Sequence, residues 1–138
     1  MIGILIVTHG ALGESLIACA HHVLGGAPTQ IAALAVNSQD DPDVVFPKAL
    51  DLIAQLDTGG GVLVLSDIYG ATPCNIVTKL LEPKMVAGVA GVSLPMLVRV
   101  MTYRHESLAV LVEKAISGGR EGVVQFTPQQ CERYEQKT

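Results

Sequence analysis

The chain has no tryptophan, two phenylalanines and three tyrosines. A core built from it is packed by Val, Leu, Ile and Ala, which suits an interior sheet covered by helices. Basic charge is also scarce. Nine Lys and Arg stand against thirteen Asp and Glu, a formal net charge of -4, so there is no electrostatic footprint for nucleic acid and no cationic helix for a membrane surface. Apolar runs are broken by Gly, Ser, Pro or a charge well short of the roughly 18 to 20 residues that cross a bilayer. The N-terminus lacks the basic start and cleavage site of a secretory signal. Cys19, Cys74 and Cys131 are odd in number and form no CxxC pair. They read as reduced thiols of a cytosolic protein, and neither zinc nor another metal is expected.

What the chain does have is alternation. At 138 residues it suits one domain, and apolar strand-like runs recur with helical patterns between them, the signature of an α/β fold with a mostly parallel sheet. The first strand is read at 2–7. A helix over 12–24 follows, with Leu12, Leu16, Cys19, Ala20 and Val23 on one stripe and Gly25-Gly26 as its stop. Residues 31–36 form a second strand. Asp40-Asp41-Pro42 then opens a helix with an aspartate cap and an early proline, running to about Leu56. Gly59-Gly60-Gly61 precedes a third strand at 62–66; it lacks the Lys-Ser/Thr ending of a phosphate-binding loop and reads as a turn. Thr72 is the expected N-cap, with Pro73 at the first helical position, of a helix over about 74–81. A fourth strand at 85–90 leads into two helical segments, about 96–103 and 107–117, the second stopped by Gly118-Gly119. Residues 122–126 read as a short fifth strand, and the tail from Thr127 is polar and expected to fray.

In an open parallel sheet, ligands gather outside the carboxyl ends of the strands where strand order reverses. With the order 2-1-3-4, strands 1 and 3 flank that crevice, and the residues directly after them are His9 and Asp67. A histidine at a strand end is often just a hydrogen-bonded loop residue, and an aspartate there often caps a turn; their shared position is what marks this pair. A ring that donates one N–H to a carboxylate is fixed in tautomer and orientation, which frees its other nitrogen as a nucleophile. Both helices that begin at the crevice would aim amides at it, favouring an anion such as phosphate. Gly10, Gly70 and Ala71 keep the approach open, and Thr8, Ser66 and Thr72 are hydroxyls within reach. Phosphoryl transfer is the leading chemistry. His21 and His22 in the first helix read as surface or packing residues, His105 as a solvated loop residue beside Arg104 and Glu106, and Cys74 as a packing residue.

These motifs resemble the enzyme IIA domain of the mannose family of the bacterial phosphotransferase system. The resemblance rests on ILIVTHG at 4–10, VLVLSDIYGATP at 62–73, AGVSLPML at 90–97 and GREGV at 119–123, and spans residues 1–126. It implies a phosphocarrier that accepts a phosphoryl group on a histidine from the small carrier HPr and passes it to a IIB protein or domain. By that resemblance the phosphorylated residue is His9, Asp67 orients its ring, and Thr72 contacts phosphoryl oxygens. No cofactor is implied, and the membrane is met only indirectly through IIC and IID components. The implied fold has four parallel strands, helices on both faces, and an antiparallel fifth edge strand, here 122–126, exchanged within a homodimer. Because the chain stops soon afterwards, a separate IIB partner is expected. Ile68 stands where the family often has a hydroxyl, and Tyr69 keeps an aromatic ring.

Three alternatives compete. In the same fold, a regulator would be read by another protein through its phosphorylation state, since a phosphate adds roughly two negative charges. A receiver-type signalling domain would use Asp67 as acceptor, yet needs further acidic residues after strand 1, where Thr8-His9 stand. A noncatalytic nucleotide-binding module is weakened by the missing GxGxxG and P-loop.

Overall fold

The structure is a computed structural model and describes residues 1–128. The polar tail beyond them, with Cys131, lies outside the described residues. In chain order the elements are β1 (Gly3–His9), α1 (Leu12–Leu24), β2 (Ile31–Val36), α2 (Pro42–Leu56), β3 (Val62–Ser66), α3 (Thr72–Leu80), β4 (Val86–Ala90), α4 (Leu94–Tyr103) and α5 (Leu108–Glu121). The sheet has the order β2-β1-β3-β4 with every pair parallel, as expected.

The two central strands are apolar on both faces because helices cover both faces. On one side Leu5, Val7, Val62 and Val64 meet Val45, Ala49 and Leu56 of α2 and Ile76, Val77 and Leu80 of α3. On the other, Ile4, Ile6, Leu63 and Leu65 meet Ala20 of α1, Met96, Leu97 and Val100 of α4, and Leu111 and Ala115 of α5. The chain turns back between β1 and β3, whose register sets Val7 beside Ser66. That register brings the residues after each strand into one crevice.

Several local expectations are corrected. Along α1 the sheet-facing side is Gly13, Leu16, Ile17 and Ala20, whereas Leu12, Cys19 and Val23 are exposed. Gly13 explains the rotation: a Cβ there would sit 3.2 Å from both Ala33 Cβ and Ile6 Cγ2, so the helix docks through a residue that no hydrophobic count includes.

The N-cap of α3 is Ala71, not Thr72: the Asn75 N–H donates to Ala71 O at 3.1 Å, making Ala71 the first acceptor, with Thr72 inside the helix.

Gly118-Gly119 does not stop α5, which runs on to Glu121. These glycines serve a close crossing instead. A Cβ at Gly118 would lie 3.0 Å from Arg99 Cβ and 3.3 Å from the Met96 Cα.

Nor is a fifth strand formed among the described residues. Gly122 caps α5, and residues 123–126 lie in no strand, leaving Val123, Val124 and Phe126 exposed. An exchanged strand would have its ladder on a second copy.

Beside the exposed His105, Arg104 is only 3 % exposed. Its guanidinium donates to the carbonyls of Ile2, Thr29 and Gln30, tying the end of α4 to the starts of β1 and β2.

Candidate functional site

β1 extends two residues further than its apolar run, so His9 is the last strand residue, paired with Val36 of β2. Asp67 directly follows β3. The two meet: Asp67 Oδ2 accepts the His9 backbone N–H at 3.0 Å and lies 2.9 Å from His9 Nδ1. Asp67 Oδ1 accepts the Ile68 N–H at 2.9 Å. The carboxylate is nearly enclosed, its side chain 8 % exposed, while the His9 side chain is 51 % exposed.

Burial of Asp67 opposes its charge, but hydrogen bonds from the His9 N–H, the His9 ring and the Ile68 N–H, with the charge His9 can carry, outweigh it. They hold the carboxyl below its ordinary value. Asp67 is therefore an anion at neutral pH and can only accept. This assigns the proton of the neutral His9 ring to Nδ1 and leaves the lone pair on Nε2, on the half-exposed ring.

The positions next to the pair are shaped for approach. Gly10 has φ +52 and donates its N–H to Val36 O at 3.2 Å. Gly70 has φ +86, and a Cβ at either glycine would meet nothing within 4 Å. Positive φ, not crowding, calls for glycine there. α1 begins three residues after His9 and α3 five after Asp67, so both N-termini open at the end of the sheet that carries the pair. Among the described residues no partner is seen for the N–H groups of Ala11, Leu12, Gly70, Ala71 and Thr72. Thr72 is exposed at the first position of α3. Unpaired amides at two helix N-termini favour an anion.

Two expected hydroxyls are placed otherwise. Thr8 and Ser66 are 1 % and 2 % exposed, and Thr8 Oγ1 accepts the N–H of Gly13 at 2.9 Å. They lie beneath the crevice and do not line it. His21, His22 and His105 are exposed and distant in the fold's elements from the pair, and Cys74 is buried in α3, all as read. Gly13 escaped the sequence reading; its spacing, five residues after Thr8 and opposite Ala33, is a tertiary signal. At the rim, Ile68 and Tyr69 are 57 % and 84 % exposed.

Among the described residues, no helix is long and apolar enough to cross a membrane.

Comparison with known proteins places the chain in a family. Residues 3–116 match the EIIA-man family, described as PTS system fructose IIA component. Over 125 residues the chain is 34% identical to the PTS system mannose-specific EIIAB component of Escherichia coli (strain K12), a match covering 88% of this chain and 38% of that protein. The chain thus spans well under half the length of that curated relative. In structure it resembles phosphotransferase system component EIIA from Streptococcus agalactiae, with TM-score 0.80 and 25% identity over 91% of this chain and 98% of that one. The fold is shared as well by the mannose/sorbose specific IIA subunit from Enterococcus faecalis, with TM-score 0.81 and 21% identity over 91% and 95% of the two chains. A matched profile over most of the chain, together with a sheet order and strand-end residues read independently, leads to one statement: this chain belongs to the EIIA-man family of phosphotransferase-system IIA components.

Proposed function

We propose that this chain is a cytoplasmic phosphocarrier that accepts a phosphoryl group from phosphorylated HPr on His9 Nε2 and passes it to a IIB component for sugar uptake. The observation that carries this is the contact of 2.9 Å between His9 Nδ1 and Asp67 Oδ2, which leaves Nε2 as the basic nitrogen of a half-exposed ring. In the acceptance step the Nε2 lone pair forms a bond to phosphorus as the bond to the donor breaks in line. The ring, still protonated at Nδ1, becomes cationic, and the Asp67 carboxylate offsets that charge. The open backbone at Gly10 and Gly70 admits the donor, and the amides of Ala11, Leu12, Ala71 and Thr72, with the Thr72 hydroxyl, hold the equatorial oxygens. Such a transfer depends on positioning and charge stabilisation. Return of the group to a IIB acceptor is the same step reversed.

The working unit in this reading is a homodimer in which residues 122–126 of each copy complete the other's sheet. β4 is an edge strand, a cavity of about 800 Å³ runs along Gly88, Val89 and Ala90 to Gly122 and Val123, and the apolar segment Val123, Val124 and Phe126 is exposed. An unpaired edge beside an uncovered apolar segment favours pairing.

Incubation with phosphoenolpyruvate, enzyme I and HPr, followed by mapping of the modified residue, tests the carrier role. Acid-labile, alkali-stable phosphate on His9 is the expected result. Phosphate on Asp67, or none, overturns it.

A further inference from the structure

Residues 8, 9 and 10 are each tied to a different element. Thr8 Oγ1 accepts the Gly13 N–H of α1, His9 is bonded twice to Asp67 after β3, and the Gly10 N–H donates to Val36 at the end of β2. Two of these ties hold His9 to the sheet. The first alone links it to the helix whose free amides stand beside it.

That link is unusual in kind. The N-cap of α1, Ala11, provides no side-chain cap, and the cap comes instead from the preceding strand, from a hydroxyl that is 1 % exposed. Gly13 adds a contact to the bond: a Cβ there would lie 3.3 Å from Thr8 Oγ1, as well as against Ala33 and Ile6. The first turn of α1 is therefore seated at a defined distance from the end of β1. With no acceptor at position 8, the Gly13 N–H would be buried unpaired, and the turn would have to shift to reach water.

We propose that Thr8 is a positioning residue for His9. Its hydroxyl, through Gly13, sets where the first turn of α1 stands relative to the ring, and so where the Ala11 and Leu12 amides meet the phosphoryl group. This rests on the carrier reading above. Misplacement of about 1 Å can cost phosphoryl transfer on the order of 100-fold, without touching a side chain that contacts the donor.

The test compares the wild-type chain with Thr8→Val, which keeps the shape and loses the acceptor, and Thr8→Ser, which keeps the acceptor. Rates of phosphoryl acceptance from phosphorylated HPr are measured below the melting temperature of each, with folding checked by circular dichroism. For Thr8→Val, kcat falls roughly 10- to 100-fold with KM for phosphorylated HPr unchanged, and Thr8→Ser restores it. In nitrogen-resolved NMR spectra the Ala11 and Leu12 amides and the His9 ring nitrogens move in Thr8→Val and return in Thr8→Ser. A folded Thr8→Val that accepts phosphate at the wild-type rate overturns the proposal, as does a Thr8→Ser no better than Thr8→Val. If the wild-type chain itself is not labelled, the carrier reading falls, and the NMR comparison alone then decides whether Thr8 positions the ring.

Discussion

A single oxygen of Asp67 accepts both the backbone N–H and the ring N–H of His9, at 3.0 and 2.9 Å. Ring and main chain are thus held to one acceptor, which fixes both the place of the histidine and the rotation of its ring. Replacing the carboxylate by an amide removes the charge and lets the group donate as well as accept. Asp67→Asn is expected to slow phosphoryl acceptance by roughly 100-fold or more while far-ultraviolet circular dichroism stays unchanged. His9→Ala abolishes labelling altogether. A wild-type rate in Asp67→Asn would show that the His9 contact has no part in transfer.

The lowered pKa of Asp67 has a consequence for acid stability. Its hydrogen bonds favour the charged form in the folded chain, so the folded value lies below the unfolded one. The stabilisation is full above the ordinary aspartate value near pH 4 and is lost as the pH falls through the lower, folded value. Urea unfolding midpoints measured from pH 6 down to pH 3 should therefore converge for the wild-type chain and Asp67→Asn as the pH drops. Parallel curves over that range would refute the assignment.

Arg104 reaches three backbone carbonyls with one planar fork, and no carboxylate accompanies it among its described partners. Arg104→Met takes both guanidinium donors from the buried Ile2 carbonyl, while Gln30 keeps the Ile4 N–H, and should cost roughly 1 to 3 kcal/mol in urea denaturation. Arg104→Lys recovers only part, because a point charge cannot reproduce the fork. These ties lie at the start of β1, the opposite end from His9, so a folded variant should accept phosphate normally.

The two glycines of α5 predict opposite outcomes. Alanine gains up to about 1 kcal/mol over glycine in a helix. At Gly119 the added methyl meets only the flexible tip of Met96, at 3.0 Å from Cε, and the propensity gain prevails. At Gly118 it meets Arg99 Cβ and the Met96 Cα, which cannot move aside, and overpacking of about 1 to 3 kcal/mol prevails. Thermal melts should show Gly119→Ala above and Gly118→Ala below the wild-type chain.

Much of this was legible in the residues. Periodicity places the four strands of the sheet and helices α1 to α5, and the rule for parallel sheets singles out His9 and Asp67. Several departures centre on glycine. The packing roles of Gly13 and Gly118 and the burial of Arg104 are not visible locally, because each takes its meaning from a neighbour far along the chain.

The sequence by itself determined the alternation of elements, the two strand ends that bear His9 and Asp67, and the family likeness, since these depend on residues adjacent in the chain. Only the tertiary structure decided that Asp67, 58 positions away, offers one oxygen to both the backbone N–H and the ring Nδ1 of His9, and that the buried Thr8 hydroxyl accepts the Gly13 N–H of α1. The parallel crossovers make the difference. They bring distant strand ends within hydrogen-bond range, and which atom then meets which depends on register and helix docking, which local patterns do not encode.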